Sequence, residues 1–518
     1  MRIGIIKNAN KAKEKNEIEN EKEIVQRATV NAIGKNKYGD LKQDELQNQL
    51  DKEVEEKTEA TDVGNKFEIL FKESNRYYTV DKDGNVSEPL IFIKDNFPGD
   101  ITKGKDGESL DGSEERPFEI WCIEDLIEFS KNYNSYKKAY IKLKRDLNFK
   151  SKFSYNDSET VSYGDINQDG ETTSLINEMQ SGVGFTPVAI FNGVFLGENF
   201  RIDNLYVNAS GDAGLIGRGN SSCVKQLTIS GTVISESGSA GGICGRYYTS
   251  MYLQECKNYA NILAKEAAAG GIAGYGSGAG TGTIEGCINY GNVQSLGSDR
   301  PNATYVNGNA GGIIGGGVGN SIIKNCCNYG DISSNISAGG IGGYQYASNI
   351  TITNSSNEGS IQGKKFSGGI LAENVRAVIT ISNSYNLGDV KGEEIVGGLV
   401  GYKYWNTTIN IYNSYNIGNV RGSVANKTGD ILGLYNGGEG AYKDYIVTAK
   451  NVYCKKSTNQ PIGNSSSVEI NIKELNDIKS TVFVDELNSN IEELKGEEID
   501  TSDWKKWSLG KNGYPTFE

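Results

Sequence analysis

Histidine is absent from this chain of 518 residues. Its absence excludes a Ser-His-Asp triad, a Cys-His catalytic pair and the usual zinc sites that have a histidine ligand, because all of these need an imidazole. Long apolar stretches are missing as well, and no run of the sequence has the length and apolarity of a membrane span. Neither a signal peptide at Met1 nor a Leu-Pro-x-Thr-Gly sorting signal can be recognised. Taken by themselves, these absences would indicate a cytoplasmic protein.

Positive charge is in deficit. The chain has 53 Lys and Arg against 66 Asp and Glu, which gives a net charge of −13. This balance argues against nucleic acid or anionic lipid as a general partner. Proline is scarce at 7 residues, whereas glycine is abundant at 66. The length allows about two to four domains and a large core.

The glycines recur in a fixed phrase: a small residue, Gly-Gly and an aliphatic residue. Six full copies have their first glycine at positions 241, 270, 311, 339, 368 and 397, so the steps are 29, 41, 28, 29 and 29 residues. Degenerate copies at 213–217 and 428–433 flank them. A fixed period of about 20–50 residues is typical of stacked-repeat proteins.

A second phrase, small-x-Asn, keeps the same period. The small residue that opens it is Cys256, Cys287, Cys326, Ser355, Ser384 and Ser414. A β-branched residue follows each copy, and 350–353 and 408–412 alternate apolar with polar residues. This pattern predicts two or three short β-strands in every repeat.

The two phrases together predict a mainly β protein with a parallel β-helix, one coil per repeat. Helical spacing is missing from the repeats, and 29 residues hardly hold the four strands of a propeller blade. Equivalent residues of successive coils would stack about 4.8 Å apart. The Cys/Ser series and the aliphatic residue after each Gly-Gly would then form inward ladders, and positive φ or crowding would require the glycines. A flexible linker is the alternative, but it would not keep an aliphatic residue in phase.

The segment Gly397-Gly398-Leu399-Val400-Gly401 and its counterparts, with the Asn-Ser-Tyr-Asn phrase, resemble the GLUG motif of bacterial surface proteins. The resemblance covers about residues 213–433. It implies a right-handed β-helix in a secreted or surface-displayed, adhesin-like protein. Some members carry a peptidase module with a His-Glu-x-x-His zinc site, an activity that cannot be transferred to a chain without histidine.

The cysteines do not resemble a disulfide framework. Serine replaces cysteine at the ladder position in later repeats, which indicates a need for a small side chain rather than a crosslink. Adjacent coils would bring ladder cysteines within disulfide reach, but the pattern favours buried thiols. Cys326 and Cys327 are neighbours in a strand, so their side chains should point to opposite faces.

The N-terminal residues 7–33 are highly charged, with an apolar stripe that includes Ile18, Val25 and Ala32, and they predict a helix. A second helix is predicted over 43–55, with strands over 66–71 and 76–80. Residues 4–87 thereby resemble the soluble part of type IV pilin-like proteins of Gram-positive bacteria. In that family a hydrophobic prepilin helix comes first. It is missing here, so membrane contact is expected only through that absent helix.

The predicted domains follow from these segments. Residues 1–87 form the pilin-like helix and small α+β region, and 88–212 form a linker, an N-terminal cap and the first coils. The GLUG-repeat β-helix occupies 213–465. Residues 466–518 form a C-terminal cap, in which Trp504 and Trp507 are expected to cover the last coil.

One short segment is typical of a calcium loop. Asp165, Asn167 and Asp169 place oxygen ligands at alternate positions before Gly170, and Glu171 follows. These residues predict a Ca²⁺ site, although Ile176 stands where the twelfth-position Glu belongs. The alternative is an ordinary turn held by Asx hydrogen bonds, which needs the same residues.

Aromatic residues near the corners of the repeats are the candidate binding residues. The set chosen is Tyr247, Tyr275, Tyr344, Tyr402, Tyr404 and Trp405. Tyr259, Tyr290 and Tyr329 belong to the same group of repeat tyrosines. Tyrosine is common at recognition surfaces, including those for sugars. The alternative is structural, with one ring per coil stacked on its neighbour.

The expected protein is an extracellular, surface-displayed adhesin or a structural pilus-associated protein without catalytic residues. Its expected partners are ligands on host or neighbouring cells, glycans among them, and pilus subunits, with no nucleic acid. The alternative is a carbohydrate-active β-helix enzyme, a polysaccharide lyase or glycoside hydrolase, which needs paired carboxylates on one face. Asp331 and Asp389 alternate with Asn292 and Asn419 at one repeat position, which indicates a turn rather than a catalytic site.

Overall fold

The computed structural model of the chain resolves into two compact units. The first comprises residues 1–109, 122–126 and 148–181, and the second comprises 110–121, 127–147 and 182–518. The residues that the structure describes are 2–35, 41–54, 58–62, 66–71, 76–87, 90–91, 100–104, 108–149, 184–278, 280–298, 308–347, 349–404, 406–435, 447–464, 470–473, 475–497 and 499–517. None of the helices in these ranges has the length and apolar character needed to cross a membrane.

The first unit packs two helices against a small sheet. Its helices are α1 (Arg2–Lys35) and α2 (Gln43–Val54). Four antiparallel strands follow in the order of the chain: β1 (Thr58–Asp62), β2 (Lys66–Phe71), β3 (Arg76–Asp81) and β4 (Leu90–Ile91). The predicted second helix and both predicted strands are confirmed within a residue, whereas β1 was not predicted.

The apolar stripe of α1 forms the core of this unit. Val25, Ala28 and Ala32 are buried together with Leu46 and Leu50 of α2, whose spacing of four residues places them on one face of that helix. A buried tyrosine of the sheet also contacts α1. The Tyr78 hydroxyl donates to a Glu21 carboxylate oxygen at 3.0 Å, so the sheet is fixed to the helix by a polar contact as well as by packing.

The second unit is a parallel β-solenoid of about eight coils, with five short strands in a full coil. Each strand pairs with its equivalent in the next coil, which produces five stacks. Stacks 1 and 2 belong to one sheet, and stacks 3, 4 and 5 belong to another. The predicted β-helix is therefore confirmed. The prediction of two or three strands per repeat was too low, because many of the strands are only two residues long.

The stacks are numbered in the order of the chain, beginning with the strand that ends in the first glycine of each Gly-Gly. Stack 1 contains Ala240–Gly241, Ala269–Gly270, Asn309–Gly311, Ser337–Gly339, Phe366–Gly368, Ile395–Gly397 and Gln460–Ile462. Stack 2 contains Ile216–Gly219, Cys244–Tyr247, Ala273–Ser277, Ile314–Val318, Gly342–Tyr346, Leu371–Val375 and Val400–Lys403, and the strand Thr428–Tyr435 serves both. Stack 3 contains Val194–Leu196, Ser222–Lys225, Met251–Gln254, Gly282–Glu285, Ser321–Lys324, Asn349–Thr353, Val378–Ser382, Thr408–Asn416 and Val447–Lys455.

Two stacks complete the coil. Stack 4 contains Lys257–Asn258, Ile288–Asn289, Cys327–Asn328, Ser356–Asn357 and Tyr385–Asn386. Stack 5 contains Asn261–Ala264, Val293–Ser295, Ile332–Ser334, Ile361–Gly363, Val390–Gly392 and Val420–Gly422. In the first coils no turn separates stack 4 from stack 5, so the longer strands Arg201–Ala209 and Thr228–Ser235 each belong to both stacks.

The aliphatic residue after each Gly-Gly lies in a single inward column. Backbone hydrogen bonds connect its members from coil to coil. The Ile272 N–H donates to the Ile313 carbonyl oxygen at 3.1 Å, and the Ile341 N–H donates to the Ile370 carbonyl oxygen at 2.9 Å. All of these side chains are buried. The column confirms the periodicity argument, because scattered isoleucines would have excluded the β-helix.

The Cys/Ser positions form a second inward ladder of buried residues, and their thiols are free. The hydroxyl of Ser355 accepts from the Cys326 N–H at 3.2 Å and donates to the Thr353 carbonyl at 2.9 Å. A hydroxyl or a thiol fills this position equally, which explains the exchange of serine for cysteine. Cys326 is buried and Cys327 is half-buried, as the opposite facing of neighbouring residues predicted.

A third ladder consists of the asparagine of each small-x-Asn phrase. The members of this asparagine ladder are Asn258, Asn289, Asn328, Asn357, Asn386 and Asn416. The first five amide nitrogens each donate to the amide oxygen of the next member at 2.7 Å, as Asn328 does to Asn357, and the Asn416 nitrogen donates to the Asp430 carbonyl at 2.8 Å. The Asn328 nitrogen donates as well to the carbonyl two residues later, so the ladder also closes the corner between stacks 4 and 5.

The asparagine ladder explains the second glycine of each Gly-Gly. A Cβ on Gly340 would lie 2.1 Å from the Gly369 carbonyl oxygen and 2.4 Å from Cγ of Asn357. The first glycine is equally crowded, since a Cβ on Gly339 would lie 2.0 Å from the Gly342 carbonyl oxygen. Crowding, rather than positive φ, is therefore why these pairs are glycine.

A cap precedes the first full coil. It contains the helices α3 (Ile123–Lys131) and α4 (Tyr133–Tyr136) and the strands Phe118–Ile120, Tyr140–Leu143 and Leu147–Asn148. The strand Tyr140–Leu143 pairs in parallel with Val194–Leu196 and so begins stack 3. Phe129 packs on Phe191 with ring centroids 5.4 Å apart. Aromatic packing thus covers the open edge that a solenoid presents at its start.

The C-terminal segment contains the strand Asn471–Lys473, the helices α5 (Leu475–Ile478) and α6 (Thr481–Gly496) and a hairpin of Trp507–Leu509 with Pro515–Phe517. It packs along the flank of the last coils. Trp507 is buried against the stacked rings of Tyr385 and Tyr415. The expectation that both tryptophans cover the last coil is therefore corrected: Trp507 contacts the flank, and Trp504 is only half-buried.

Candidate ligand-binding surface

Three of the six predicted binding residues lie in the core. The exposed fractions of Tyr247, Tyr275 and Tyr344 are 4, 2 and 7%. Burial raises the pKa of Tyr247 to about 12. Its ring occupies the space that a Cβ on Gly276 or Gly282 would need. The prediction that these three tyrosines bind a ligand is wrong, because all three rings are buried. The Tyr247 ring fills the gap left by glycines of the neighbouring coil.

Two other predicted residues are half-buried on the outer side of stack 2. The Tyr402 ring stacks on Phe366 with centroids 5.3 Å apart, and Tyr404 meets Tyr402 edge-on at 5.5 Å. They form a small aromatic cluster rather than a surface that runs through several coils. Trp405, the sixth residue of the set, lies outside the described residues.

The predicted calcium residues Asp165, Asn167, Asp169 and Glu171 also lie outside the described residues. Within the described ranges, no group of three or more Cys, Asp and Glu side chains is placed to hold a metal ion. The Ca²⁺ site therefore stays a prediction of the sequence.

A continuous exposed aromatic surface occurs elsewhere, directly after the asparagine ladder. Tyr259, Tyr290 and Tyr329 are 42, 39 and 42% exposed. Their rings are nearly parallel, with centroid distances of 4.4 Å between the first two and 5.1 Å between the last two. We call these three residues the tyrosine ladder. Their backbone is held by the corner that each buried Asn closes, so the rings are positioned by rigid structure.

The sequence places these tyrosines in the same group as the other repeat tyrosines, but they are not among the six predicted binding residues. The signal that distinguishes them is their position immediately after the Asn of the small-x-Asn phrase. Because side chains alternate along a strand, a residue next to a buried Asn faces outward. Tyr275 and Tyr344, by contrast, lie in stack 2, where they are in register with Gly316 and are buried.

The two ends of the tyrosine ladder differ in charge. At one end the Arg201 guanidinium lies 5.3 Å from the Tyr259 ring centroid, and it is held by hydrogen bonds of 2.9–3.2 Å to the Asp203 carboxylate. Those hydrogen bonds raise the pKa of Arg201. At the other end Tyr329 is followed by Glu358, whose pKa is raised by burial.

Two phenols of the tyrosine ladder, Tyr290 and Tyr329, have a raised pKa because their rings are partly buried. Burial, and then the neighbouring Tyr259, raise the pKa of Tyr290 above its ordinary value. Stacking covers the ring faces, so the ladder presents ring edges and hydroxyl groups to solvent. Such a strip combines apolar contact with hydrogen bonding, as is usual for tyrosine at recognition surfaces.

Two aspartates of the repeats, Asp331 and Asp389, stabilise the turns between stacks 4 and 5. Asp331 accepts a hydrogen bond from the Ser360 N–H at 2.9 Å, and Asp389 accepts from the Asn419 N–H at 3.1 Å. Asn292 accepts in the same way from the Asp331 N–H. The interpretation of this repeat position as a turn that tolerates Asp or Asn is confirmed.

Comparison with known proteins identifies no family for this chain. No family model and no curated protein sequence matches it. Among solved structures, it resembles a candidate immunoglobulin A1 protease from Bacteroides ovatus with 15% identity and a TM-score of 0.36, over 79% of this chain and 95% of that chain. An IgA1 protease gives 11% identity and a TM-score of 0.33, over 76% of this chain and 26% of that chain. Similarities of this size carry no argument about activity.

Proposed function

We propose that this chain is a non-catalytic, surface-displayed protein of the GLUG type that binds ligands along the flank of its solenoid. It would act as an adhesin or as a pilus-associated protein, outside the cell. The observation that carries the proposal is the tyrosine ladder, a row of three exposed, stacked rings on a rigid scaffold.

The physical argument concerns preorganisation. A ring that is stacked on its neighbours has already lost its conformational freedom, so a ligand does not have to immobilise it. The three hydroxyls recur at the spacing of the coils, about 4.8 Å. A polymer that presents hydroxyl groups at similar intervals, such as a glycan, suits this strip.

The N-terminal unit supports attachment to a surface assembly. A long charged helix packed on a small antiparallel sheet is the arrangement that the resemblance to pilin-like proteins implies. In this proposal the first unit anchors the chain among pilus subunits, and the solenoid presents its flank to ligands on host or neighbouring cells.

The test is a binding screen of the full chain on glycan and matrix-protein arrays, with and without calcium. We expect at least one glycan to bind, and we expect the triple variant Tyr259→Ala, Tyr290→Ala and Tyr329→Ala to lose that binding. The matching triple Phe variant should retain part of it, since the rings remain. The comparison with and without calcium also tests the predicted Ca²⁺ loop.

Tyr248→Ala is the matched control, because Tyr248 is exposed but lies outside the tyrosine ladder. It should bind as the parent chain does. A chain that binds nothing on either array but cleaves a polysaccharide would contradict the proposal and favour the enzyme alternative. Equal binding by the triple Ala variant would remove the tyrosine ladder from the proposal.

A further inference from the structure

A second surface of the solenoid is concave and has a different chemistry. A groove of about 710 Å³ runs along the outer side of stack 5 and the corner that follows it. One wall is a column of residues that pair in register from coil to coil: Gln294, Ser333, Gln362, Lys391 and Arg421. These five coils span four steps of about 4.8 Å, or about 19 Å. The groove therefore fits an extended chain that runs parallel to the solenoid axis.

The charge of this groove is opposite to that of the whole protein. Three cationic side chains, Lys364, Lys391 and Arg421, line it together with one carboxylate, that of Glu393. The chain as a whole carries a net charge of −13. A locally positive groove on an acidic protein attracts anions at short range, where its own charges dominate over the distant field.

Two of the cations lie side by side, and no described residue forms an ion pair with either of them. Lys391 and Arg421 are direct register partners in adjacent strands, and both are exposed. In the part of the chain that the structure describes, neither side chain has an ion-pair partner within 4.0 Å. Like charges directly opposite each other in a sheet are destabilising. An anion such as a carboxylate or a sulfate, bound between the two side chains, would relieve that repulsion.

The rest of the wall changes from charged to neutral polar. Gln362, Ser333 and Gln294 continue the column away from the cations, and their amides and hydroxyl can both donate and accept. This combination suits a ligand that carries many hydroxyl groups and some anionic groups. A pyranose ring with its glycosidic link also has a length close to the spacing of the coils.

An extended peptide fits this groove less well. Peptides that bind along sheets usually add a strand to an open edge and use its free N–H and C=O groups. The strands of stack 5 that line the groove, from Val293–Ser295 to Val390–Gly392, are paired with strands on both sides. The groove therefore offers side chains rather than backbone to a ligand, which favours a polysaccharide over a peptide.

From these observations we propose that the groove of stack 5 is a binding site for a linear acidic polysaccharide, whose carboxylate or sulfate groups bind between Lys391 and Arg421. The inference deepens the proposed function by assigning a second site and a ligand class on the same solenoid. It does not depend on the tyrosine ladder.

The test measures binding of the full chain to heparin and to polygalacturonate, with dextran as a neutral polysaccharide. We expect both acidic polymers to bind and dextran to bind much more weakly. The double variant Lys391→Gln, Arg421→Gln should bind the better acidic polymer about tenfold more weakly, since two charge-assisted contacts are lost. Glu393→Gln should bind the better acidic polymer more tightly, because the variant removes a negative charge that repels the anionic ligand.

The control removes the same number of charges elsewhere. Lys257→Gln, Lys495→Gln changes two exposed lysines outside the groove and should leave affinity within about twofold. Equal losses in both double variants would overturn the proposal, because binding would then follow net charge alone. A preference for poly-L-glutamate or for single-stranded DNA over both polysaccharides would also overturn it. Thermal unfolding of every variant excludes misfolding as the cause.

The two proposals fail separately. The Ala variant of the tyrosine ladder should keep its affinity for heparin, and the groove variant should keep its glycan-array binding. Loss of heparin binding in the tyrosine variant alone would contradict the groove and leave the tyrosine ladder as the binding site.

Discussion

The buried asparagine of each coil makes two kinds of hydrogen bond at once. The Asn357 amide donates to the next coil and to its own corner, and its oxygen accepts from the previous coil. A single side chain therefore fixes both the local turn and the stacking of the coils. The sequence displayed the period of this residue, but the ladder of amides became evident only from the distances.

Asn357→Ala tests the asparagine ladder. The variant leaves the Asn328 amide without its acceptor in the next coil and the Asn386 oxygen without its donor inside the core, so we expect the free energy of unfolding to fall by about 1–3 kcal/mol. Chemical denaturation measures this change. Asn426→Ala, at an exposed position, is the control and should stay within about 0.5 kcal/mol of the parent chain. Equal stability of both variants would contradict the structural role of the ladder.

Gly340→Ala tests crowding at the Gly-Gly corner. The added methyl group would overlap the Gly369 carbonyl and Asn357, so neighbouring coils have to move apart. We expect a loss of about 1–3 kcal/mol in the free energy of unfolding. Gly211→Ala is the matched control, since nothing lies within 4 Å of its new Cβ. A Gly340 variant as stable as that control would mean that the corner is not crowded.

Glu358 predicts a pH dependence. Its folded pKa is raised above the ordinary value of 4.5 by burial, although a hydrogen bond from Tyr385 opposes the shift. A carboxyl with a raised folded pKa favours the folded state when protonated, so its contribution is lost as pH rises through the folded pKa. Glu358→Gln should therefore be more stable than the parent chain at neutral pH and equal to it below the ordinary pKa. Denaturation at the two pH values measures the difference, and a difference that does not change with pH would contradict this assignment.

At the scale of elements, the strand stacks were predictable wherever one residue type repeats in phase. The Ile column and the Cys/Ser ladder both followed from phrases that recur in phase, at steps of mostly 28–31 residues. Strands of two residues, such as Ser356–Asn357, were not predictable, since so short a run has no measurable alternation. The inward turn of Tyr247 was also beyond the sequence, because the space for its ring comes from glycines in the next coil.

The C-terminal segment shows a second limit of the sequence. The place where its helix α6 docks depends on contacts between residues that are far apart in the chain. Asn354 and Asn383 donate to the carbonyls of Asp503 and Lys505 at 2.7 and 2.9 Å. Both asparagines have positive φ, of 48 and 49°, at the turn between stacks 3 and 4. Asparagine adopts this conformation readily, and its amide is thereby presented to the segment.

Trp507→Ala tests the docking of this segment. The indole is buried against Tyr385, Tyr415 and Phe517, and its N–H donates to Asn383 at 2.6 Å. We expect the free energy of unfolding of the docked segment to fall by about 3–5 kcal/mol and cleavage by trypsin within 475–517 to become faster. Trp504→Ala, at a half-buried position, should have a much smaller effect. Unchanged proteolysis would contradict the packing on the flank.

At the scale of the whole molecule, the core of the solenoid runs through all of its coils, so that the inward side chains of every coil are shielded from solvent. The thiols provide a probe of this shielding. Burial raises the pKa of Cys244 to about 12, and the thiols of Cys256 and Cys287 are buried as well. A thiol reacts through its thiolate. Only Cys223 and Cys327 are partly exposed.

We expect iodoacetamide to modify, at most, Cys223 and Cys327 in the native chain and all 8 cysteines in denaturant. Mass spectrometry of the digested protein counts the modified sites. Early modification of Cys256 or Cys287 in the native chain would show that the coils separate locally before global unfolding.

The asparagine ladder has a consequence for how such a chain can change over time. Successive members are separated by 31, 39 and 29 residues, yet the amide contacts are 2.7 Å at every one of these steps. The distance between successive amides is thus independent of the number of residues that connect them. Insertions and deletions between successive asparagines of the ladder can accumulate without disturbing the solenoid. New loops can therefore arise one coil at a time while the other coils keep their register.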